Sequence, residues 1–232
     1  QSWADNVWDT GIAFGTVAGK RGDTTVEVTT YRTENYDPDS RKPEVEYGDS
    51  IDGDLSRRDF TVNSMALELT GEKPEFIDPF NGLQDLAAKV LRTPVRPGDS
   101  FNDDPLRMMR AARFASQLNF EIAPEVLSSM KDLAHRISII SAERVRDEFT
   151  KIMMSANPRI GITLLVDSGL ADIVLPEIPK LRLEVDEHHH HKDVYEHSIT
   201  VLEQAIELEE RLGGPNLVIR IAALLHDIGK PK

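Results

Sequence analysis

Asp103, Asp104 and Arg107 combine hydrogen-bond acceptors with a planar donor near the start of a predicted helix. The acids precede the arginine by four and three residues, so a helix places all three on one face. Cytosine and adenine each present an amino donor beside a ring acceptor, which one carboxylate and one guanidinium complement. Uracil and guanine reverse both positions and are excluded by the same pair. An acidic first turn that only stabilises the helix is the alternative interpretation.

A second charged group, Arg57, Arg58 and Asp59, stands directly before an apolar pattern. The spacing i, i+3, i+4, i+7 predicts an amphipathic helix ending near Gly71. Cations are unfavourable at a helix N-terminus unless they meet an anion such as a phosphate. The pattern therefore indicates either an anion site or an ordinary aspartate cap. The apolar positions are Val62, Met65, Ala66 and Leu69.

Glu27 lies between Val26 and Val28 in a β-rich run. Alternation places the valines on one face and Glu27 on the other, beside Thr25 and Thr29. A carboxylate that projects from a sheet can bind Mg²⁺, normally with carboxylates from adjacent strands. A solvated glutamate on a half-exposed strand is the alternative.

His197 and the pair His226-Asp227 lie one predicted helix apart and form a ligand set for a divalent cation. The sequence Ile-Gly-Lys-Pro after Asp227 is typical of HD domains. The run His188–His191 is predicted to be a solvated loop.

The elements that position these residues change character along the chain. A β-hairpin is predicted over 10–32 with its turn at 19–23, then a polar loop over 35–56. Asp78–Gly82 reads as a turn, followed by a short helix and a strand-like segment, Lys89–Thr93. Strands in front and helices behind indicate the α+β class. The predicted helices are 103–118, 124–135, 141–155, 158–168, 192–212 and 215–227.

Composition excludes several classes of protein. The net charge of −13 argues against a general nucleic-acid binder, yet residues 85–151 carry 11 Lys/Arg against 10 Asp/Glu, so a polyanion is expected there. There is no cysteine and no apolar run of about 18 residues, which excludes disulfides and predicts no membrane span. With no export signal visible, a cytoplasmic protein is expected. Both ends of the chain look like cuts.

Arg57–Asn63 resembles the RRDFTxN motif of class II tRNA nucleotidyltransferases and bacterial poly(A) polymerases. In that family the motif contacts the ribose and triphosphate of the incoming nucleotide. The resemblance implies this role for Asp59 and Asn63, with Arg57 and Arg58 in the same nucleotide-binding set.

The segment from Asp103 to Arg113 resembles the [ED]DxxR motif of the same family, which selects the base without a nucleic-acid template. The resemblance implies that Asp104 and Arg107 select the base, with Asp103 as acidic neighbour. It also implies that Arg110 and Arg113 lie near the triphosphate.

Other segments match the family less closely. Glu27 matches the third acidic position of the catalytic metal site, and Asp78–Leu86 resembles the hinge motif. Ile140–Glu148 resembles the SxERIxxE segment, for which a bracing role is predicted. The family's first motif, Gly-Gly followed by Asp-x-Asp, is absent from these residues and is expected upstream of Gln1.

The resemblance implies a nucleotidyltransferase head over 1–84, a helical neck over 85–151, and a helical body entering an HD domain over 152–232. The implied reaction adds CMP, CMP and AMP from CTP and ATP to the tRNA 3′ end, with Mg²⁺ as cofactor and a second divalent cation at the HD site. The alternatives are a bacterial poly(A) polymerase and an HD-type metal-dependent phosphohydrolase.

Overall fold

A computed structural model of the protein describes residues 3–9, 15–35, 44–47, 50–183 and 193–230. The chain forms two compact units, Gln1–Arg58 and Asp59–Lys232. Strands dominate the first unit and helices the second, so the predicted α+β class is confirmed. Within the described ranges, no helix has the length and apolar character needed to cross a membrane. The run His188–His191 lies outside the described residues.

The first unit contains a three-stranded antiparallel sheet in the order β1 (Asn6–Trp8), β2 (Thr16–Arg21) and β3 (Thr24–Thr29). Arg21 pairs with Thr24, so the turn between β2 and β3 is only Gly22-Asp23. Gly22 has a φ of 55°, which glycine adopts without strain. The predicted hairpin is confirmed where it is described, with a shorter turn than expected; residues 10–14 lie outside the described part.

The predicted polar loop over 35–56 is wrong in two places. Strand β4 (Arg32–Asn35) pairs antiparallel with β5 (Glu44–Tyr47), and α1 (Ile51–Ser56) follows. The polar composition of this segment did not distinguish these elements from a loop. The strands in particular depend on the pairing of β4 with β5, which lies beyond the nearest neighbours in sequence. Residues 36–43 and 48–49 are not among those described.

The second unit opens with a 3₁₀ turn, Thr61–Asn63, and a β-hairpin of β6 (Ala66–Glu68) and β7 (Glu75–Ile77). The amphipathic helix predicted over these residues is therefore wrong. The helical spacing covered only eight residues, too few to distinguish a helix from a turn followed by a strand, and pairing of Ala66 with Ile77 decided the outcome.

Asp78 builds the turn that was predicted at Asp78–Gly82. Its carboxylate accepts hydrogen bonds from the backbone N–H groups of Gly82 (2.6 Å) and Leu83 (2.9 Å), at the start of α2 (Gly82–Ala88). The strand-like segment that follows forms β8 (Val90–Leu91), which pairs parallel with β9 (Glu121–Ile122).

A bundle of helices forms the rest of the second unit, and most of its predicted helices are confirmed. The 192–212 prediction ends in a separate 3₁₀ segment, Glu209–Leu212. Another 3₁₀ segment, Ala134–Ile139, follows α5. The helices are α3 (Pro97–Asp103), α4 (Leu106–Leu118), α5 (Pro124–Leu133), α6 (Ala142–Met153), α7 (Pro158–Asp167), α8 (Ala171–Val174), α9 (Glu177–Lys180), α10 (Val194–Glu207) and α11 (Leu217–Leu225).

The helix predicted over 103–118 begins later than expected. Pro105 disfavours helical geometry at the residue before it, and Asp104 is extended at φ −139° and ψ 99°. Asp103 is therefore the last residue of α3, and Asp104 lies between α3 and α4.

Helix α4 lies in the middle of the core of the second unit. Met108, Met109 and Ala112 on it are completely buried. Gly161 on α7 allows close approach, because an added Cβ would lie 2.6 Å from Ile152 Cγ2 and even closer to Ser116 Oγ. The packing of α7 against its neighbours thus depends on a missing side chain.

Arg220 on α11 ties three segments of the bundle together. Its guanidinium forms two 2.6 Å hydrogen bonds to the carboxylate of Glu209. It also donates to the carbonyl oxygens of Met153 (2.6 Å) and Ser155 (2.8 Å), at the end of α6. A buried charge is tolerated when it is paired and fully hydrogen-bonded, as here.

Candidate functional site

The acidic half of the predicted base-selecting pair lies in the break before α4. Asp104 Oδ1 accepts a hydrogen bond from the Leu106 N–H at 3.0 Å, and Oδ2 accepts one from Arg144 Nη2 at 3.1 Å. Asp103 is exposed at the end of α3. The expectation that both acids share a face of one helix with Arg107 is therefore corrected: neither belongs to α4.

The basic half, Arg107, lies in the first turn of α4 and is only 7% exposed. Its Nη1 donates to Ser100 Oγ at 2.8 Å. Ser100 was not predicted from the sequence, because it belongs to α3 and no spacing rule relates positions in two separate helices.

Asp59 is the best-anchored carboxylate of the predicted nucleotide set. Its Oδ2 accepts from Arg110 Nε at 2.9 Å and from Arg110 Nη2, and its Oδ1 accepts from Asn63 Nδ2 (3.0 Å) and the Phe60 N–H (2.9 Å). Burial opposes ionisation of Asp59, which is 8% exposed. The charge of Arg110 and the hydrogen bonds outweigh burial and lower the pKa of this carboxyl. The structure thus brings Asp59, Asn63 and Arg110 together.

Arg113 lies three residues beyond Arg110 on α4 and is buried. Its Nε lies 3.2 Å from Glu148 Oε2 on α6, and its guanidinium lies 4.3 Å from the ring centre of Phe114. Burial, the largest influence, lowers the pKa of Arg113 despite the facing carboxylate of Glu148. This ion pair braces α6 against α4, as predicted for the segment ending at Glu148. Ser141 occupies the N-cap position of α6 but its side chain makes no cap hydrogen bond.

Arg57 and Arg58 lie in the first unit, at the C-terminal end of α1. Asp54 accepts from Arg57 Nη2 at 2.6 Å and from Arg58 Nη2 at 3.3 Å. Burial raises the pKa of Asp54, but these two arginines outweigh it and lower the pKa overall. The prediction that the arginines stand at a helix N-terminus is wrong, because they lie at the C-terminal end of α1. Cations are favourable at that end of a helix. Sequence reasoning missed Asp54, although the i, i+3 and i, i+4 spacing was a usable signal.

Glu27 is exposed on β3, across from Ala18 on β2. Among the described residues, no cluster of three or more potential metal ligands includes it. Its assignment to Mg²⁺ stays a prediction that depends on the family resemblance.

His197, His226 and Asp227 come together as predicted. Their ligand atoms lie within 4.8 Å of one another, with 3.2 Å between the two histidine Nε2 atoms. His226 Nδ1 lies 2.8 Å from the carbonyl oxygen of Ala223, so it carries the proton and turns the basic Nε2 toward the cluster. This donor set fits a divalent cation. Lys230 Nζ lies 2.8 Å from Asp227 Oδ2 and forms an ion pair with it.

Three family models match successive parts of the chain. The poly A polymerase head domain matches residues 1–92, and a probable RNA- and SrmB-binding site of polymerase A matches residues 119–181. The HD domain matches residues 194–232.

Known proteins of this family resemble the chain in sequence and fold. A CCA-adding enzyme of Streptococcus gordonii is 39% identical over 184 residues, which are 79% of this chain and 45% of that protein. The Bacillus stearothermophilus CCA-adding enzyme in complex with CTP superposes with a TM-score of 0.69 at 28% identity, over 97% of this chain and 53% of that one.

A further solved structure is a tRNA nucleotidyltransferase complexed with a primer tRNA and an incoming ATP analog. It superposes with a TM-score of 0.64 at 25% identity, over 95% of this chain and 68% of that one. The chain spans about half the length of the curated relatives it matches. The three family models, the sequence identities and the shared fold agree: the chain belongs to the poly(A) polymerase and tRNA nucleotidyltransferase family that includes the CCA-adding enzymes.

Proposed function

We propose that this chain is the nucleotide-selecting part of an enzyme that adds C, C and A to the 3′ end of tRNA from CTP and ATP. The observation that carries the proposal is the anchored pair of Asp104 and Arg107 at the start of α4. One accepts and the other donates, as cytosine and adenine require. The names of the relatives and the CTP, ATP analog and primer tRNA in the solved structures support it.

In the proposed reaction the tRNA 3′-hydroxyl attacks the α-phosphate and pyrophosphate leaves. Mg²⁺ would neutralise the charge of the triphosphate, with Glu27 as its candidate ligand on this chain. Asp59 and Asn63 would contact the ribose and triphosphate, and Arg57, Arg58, Arg110 and Arg113 would complete the nucleotide-binding set. The division into a head (1–84), neck (85–151) and body (152–232) is part of the same proposal.

The chain itself permits a direct test of base selection. We expect CTP and ATP to bind more tightly than UTP and GTP in calorimetric titrations with Mg²⁺. Replacing Arg107 with Ala removes the donor and should reduce the preference roughly tenfold or more. Equal binding of all four nucleotides by the unmutated chain would contradict the proposal, and binding of ATP without CTP would favour a poly(A) polymerase.

Turnover should be absent from these 232 residues. Glu27 is the only residue in the sequence that matches the family's catalytic metal ligands, so positioning of the metal is incomplete. We expect no incorporation of labelled CMP into tRNA that lacks its 3′ end, although nucleotide binding persists. Measurable incorporation would refute this expectation.

A second candidate function is a metal-dependent phosphohydrolase, which the cluster of His197, His226 and Asp227 favours. Mn²⁺ titration monitored by calorimetry should show binding that His226→Ala abolishes, whereas replacing the exposed His135 with Ala leaves it unchanged. Hydrolysis of p-nitrophenyl phosphate that requires both Mn²⁺ and His226 would bring this function to the front.

A further inference from the structure

We propose that Ser100 is a positioning residue for base selection, because it orients the guanidinium of Arg107 and holds the backbone of Asp104. This inference rests on the proposed function and names a residue outside the motifs that indicated it. Ser100 is completely buried in α3, three residues before the end of that helix.

Ser100 contacts both members of the base-selecting pair. Its hydroxyl oxygen lies 2.8 Å from Arg107 Nη1, and its carbonyl oxygen lies 3.4 Å from the same nitrogen. The same carbonyl accepts a hydrogen bond from the Asp104 N–H at 3.2 Å. One residue therefore contacts both the donor and the acceptor, although Asp104 lies in the break before α4 and Arg107 lies within α4.

The orientation of Arg107 matters because its guanidinium is flat. Its donors point in fixed directions within one plane, so anchoring Nη1 selects the plane in which the others are presented. Without the serine hydroxyl, Arg107 Nη1 loses its 2.8 Å hydrogen bond, so the guanidinium plane is held less firmly and can rotate. Rotation weakens its bond to cytosine and relaxes its repulsion of the N–H group that uracil presents there.

Asp104 is held independently of its side-chain role. Leu106 N–H and Arg144 each occupy one carboxylate oxygen, and each oxygen keeps a further lone pair that can accept from a base amino group. Removing the Ser100 hydroxyl therefore perturbs the donor while leaving the acceptor in place, so the predicted effect is on selectivity.

The test compares the chain with Ser100→Ala, Ser100→Thr and a matched control, Ser168→Ala. Ser168 is also buried, and its hydroxyl donates to the Leu164 carbonyl at 2.7 Å. Calorimetry gives the ratio of the dissociation constants for UTP and CTP, and thermal unfolding verifies that each variant is folded. We expect Ser100→Ala to lower the ratio by about tenfold. Ser100→Thr, which keeps the hydroxyl, and Ser168→Ala should retain it.

Two results would overturn the inference while leaving the proposed function intact. One is an unchanged ratio in a folded Ser100→Ala variant. The other is an equal loss of affinity for CTP and UTP, which indicates a purely structural serine. If the unmutated chain does not prefer CTP to UTP, the proposed function fails, and this inference fails with it.

Discussion

At the scale of single residues, the charge of Asp59 links stability to pH. Its pKa is lowered below the ordinary value of 3.8, so its stabilising effect is complete above that value and is lost as pH falls through the lowered one. We expect Asp59→Asn to reduce the free energy of unfolding by roughly 2 to 4 kcal/mol at pH 7, less than a fully buried pair because Arg110 is 33% exposed. Urea denaturation at several pH values should show the difference shrinking below about pH 4.

The exposed Asp132 on α5 provides a control for this measurement. Asp132→Asn should change the free energy of unfolding by less than about 0.5 kcal/mol at every pH tested. A pH-independent cost for Asp59→Asn would show that Arg110 does not hold the carboxylate charged.

Much of the candidate site was predicted before the fold was known. The family resemblance led to Asp59, Asn63 and Arg110, which the fold joins, and residue types and spacing led to His197 and the His226-Asp227 pair. The sequence did not lead to Ser100, because it meets Arg107 through the packing of two helices and no motif includes it. Residues that carry out chemistry can be predicted from a sequence when the chemistry needs particular residue types. The residues that position them often leave no such pattern.

At the scale of elements, helix packing should be sensitive to Gly161. Alanine normally favours a helix over glycine by about 1 kcal/mol. At Gly161 the added methyl would collide with Ile152 and Ser116, so we expect Gly161→Ala to destabilise by roughly 1 to 3 kcal/mol in thermal or urea unfolding.

Gly98 on α3 is the matched control. An added Cβ there meets nothing within 4 Å, so Gly98→Ala should be neutral or slightly stabilising. Equal effects at the two glycines would mean that helix propensity, and not packing, governs both.

The elements themselves were predictable where their signal was long and local. Helices α5 and α7 begin with proline, and α5, α6 and α7 each carry an apolar face over several turns. The wrong prediction at β6 arose because its signal was short and not local. Its partner β7 lies beyond an intervening turn, and only the pairing of the two strands shows the two-residue period of a strand.

At the scale of the whole second unit, Arg220 joins α11, the 3₁₀ segment at Glu209 and the end of α6. Arg220→Ala leaves Glu209 as a buried, uncompensated charge and two carbonyls without their donor, so we expect a loss of about 3 to 5 kcal/mol. The exposed Arg211 gives the comparison, since Arg211→Ala should cost less than about 0.5 kcal/mol by urea unfolding. Similar losses for both variants would exclude the buried network as the cause.

Three arginines of α4 are anchored to three different parts of the second unit: Arg107 to Ser100, Arg110 to Asp59 and Arg113 to Glu148. They span about 9 Å of the helix and step by roughly 60° around its axis. Turning α4 about its own axis would stretch all three links at once, so its rotational setting is fixed by three separate contacts. Loss of any one anchor leaves the other two in place, so the orientation of the helix does not depend on a single contact.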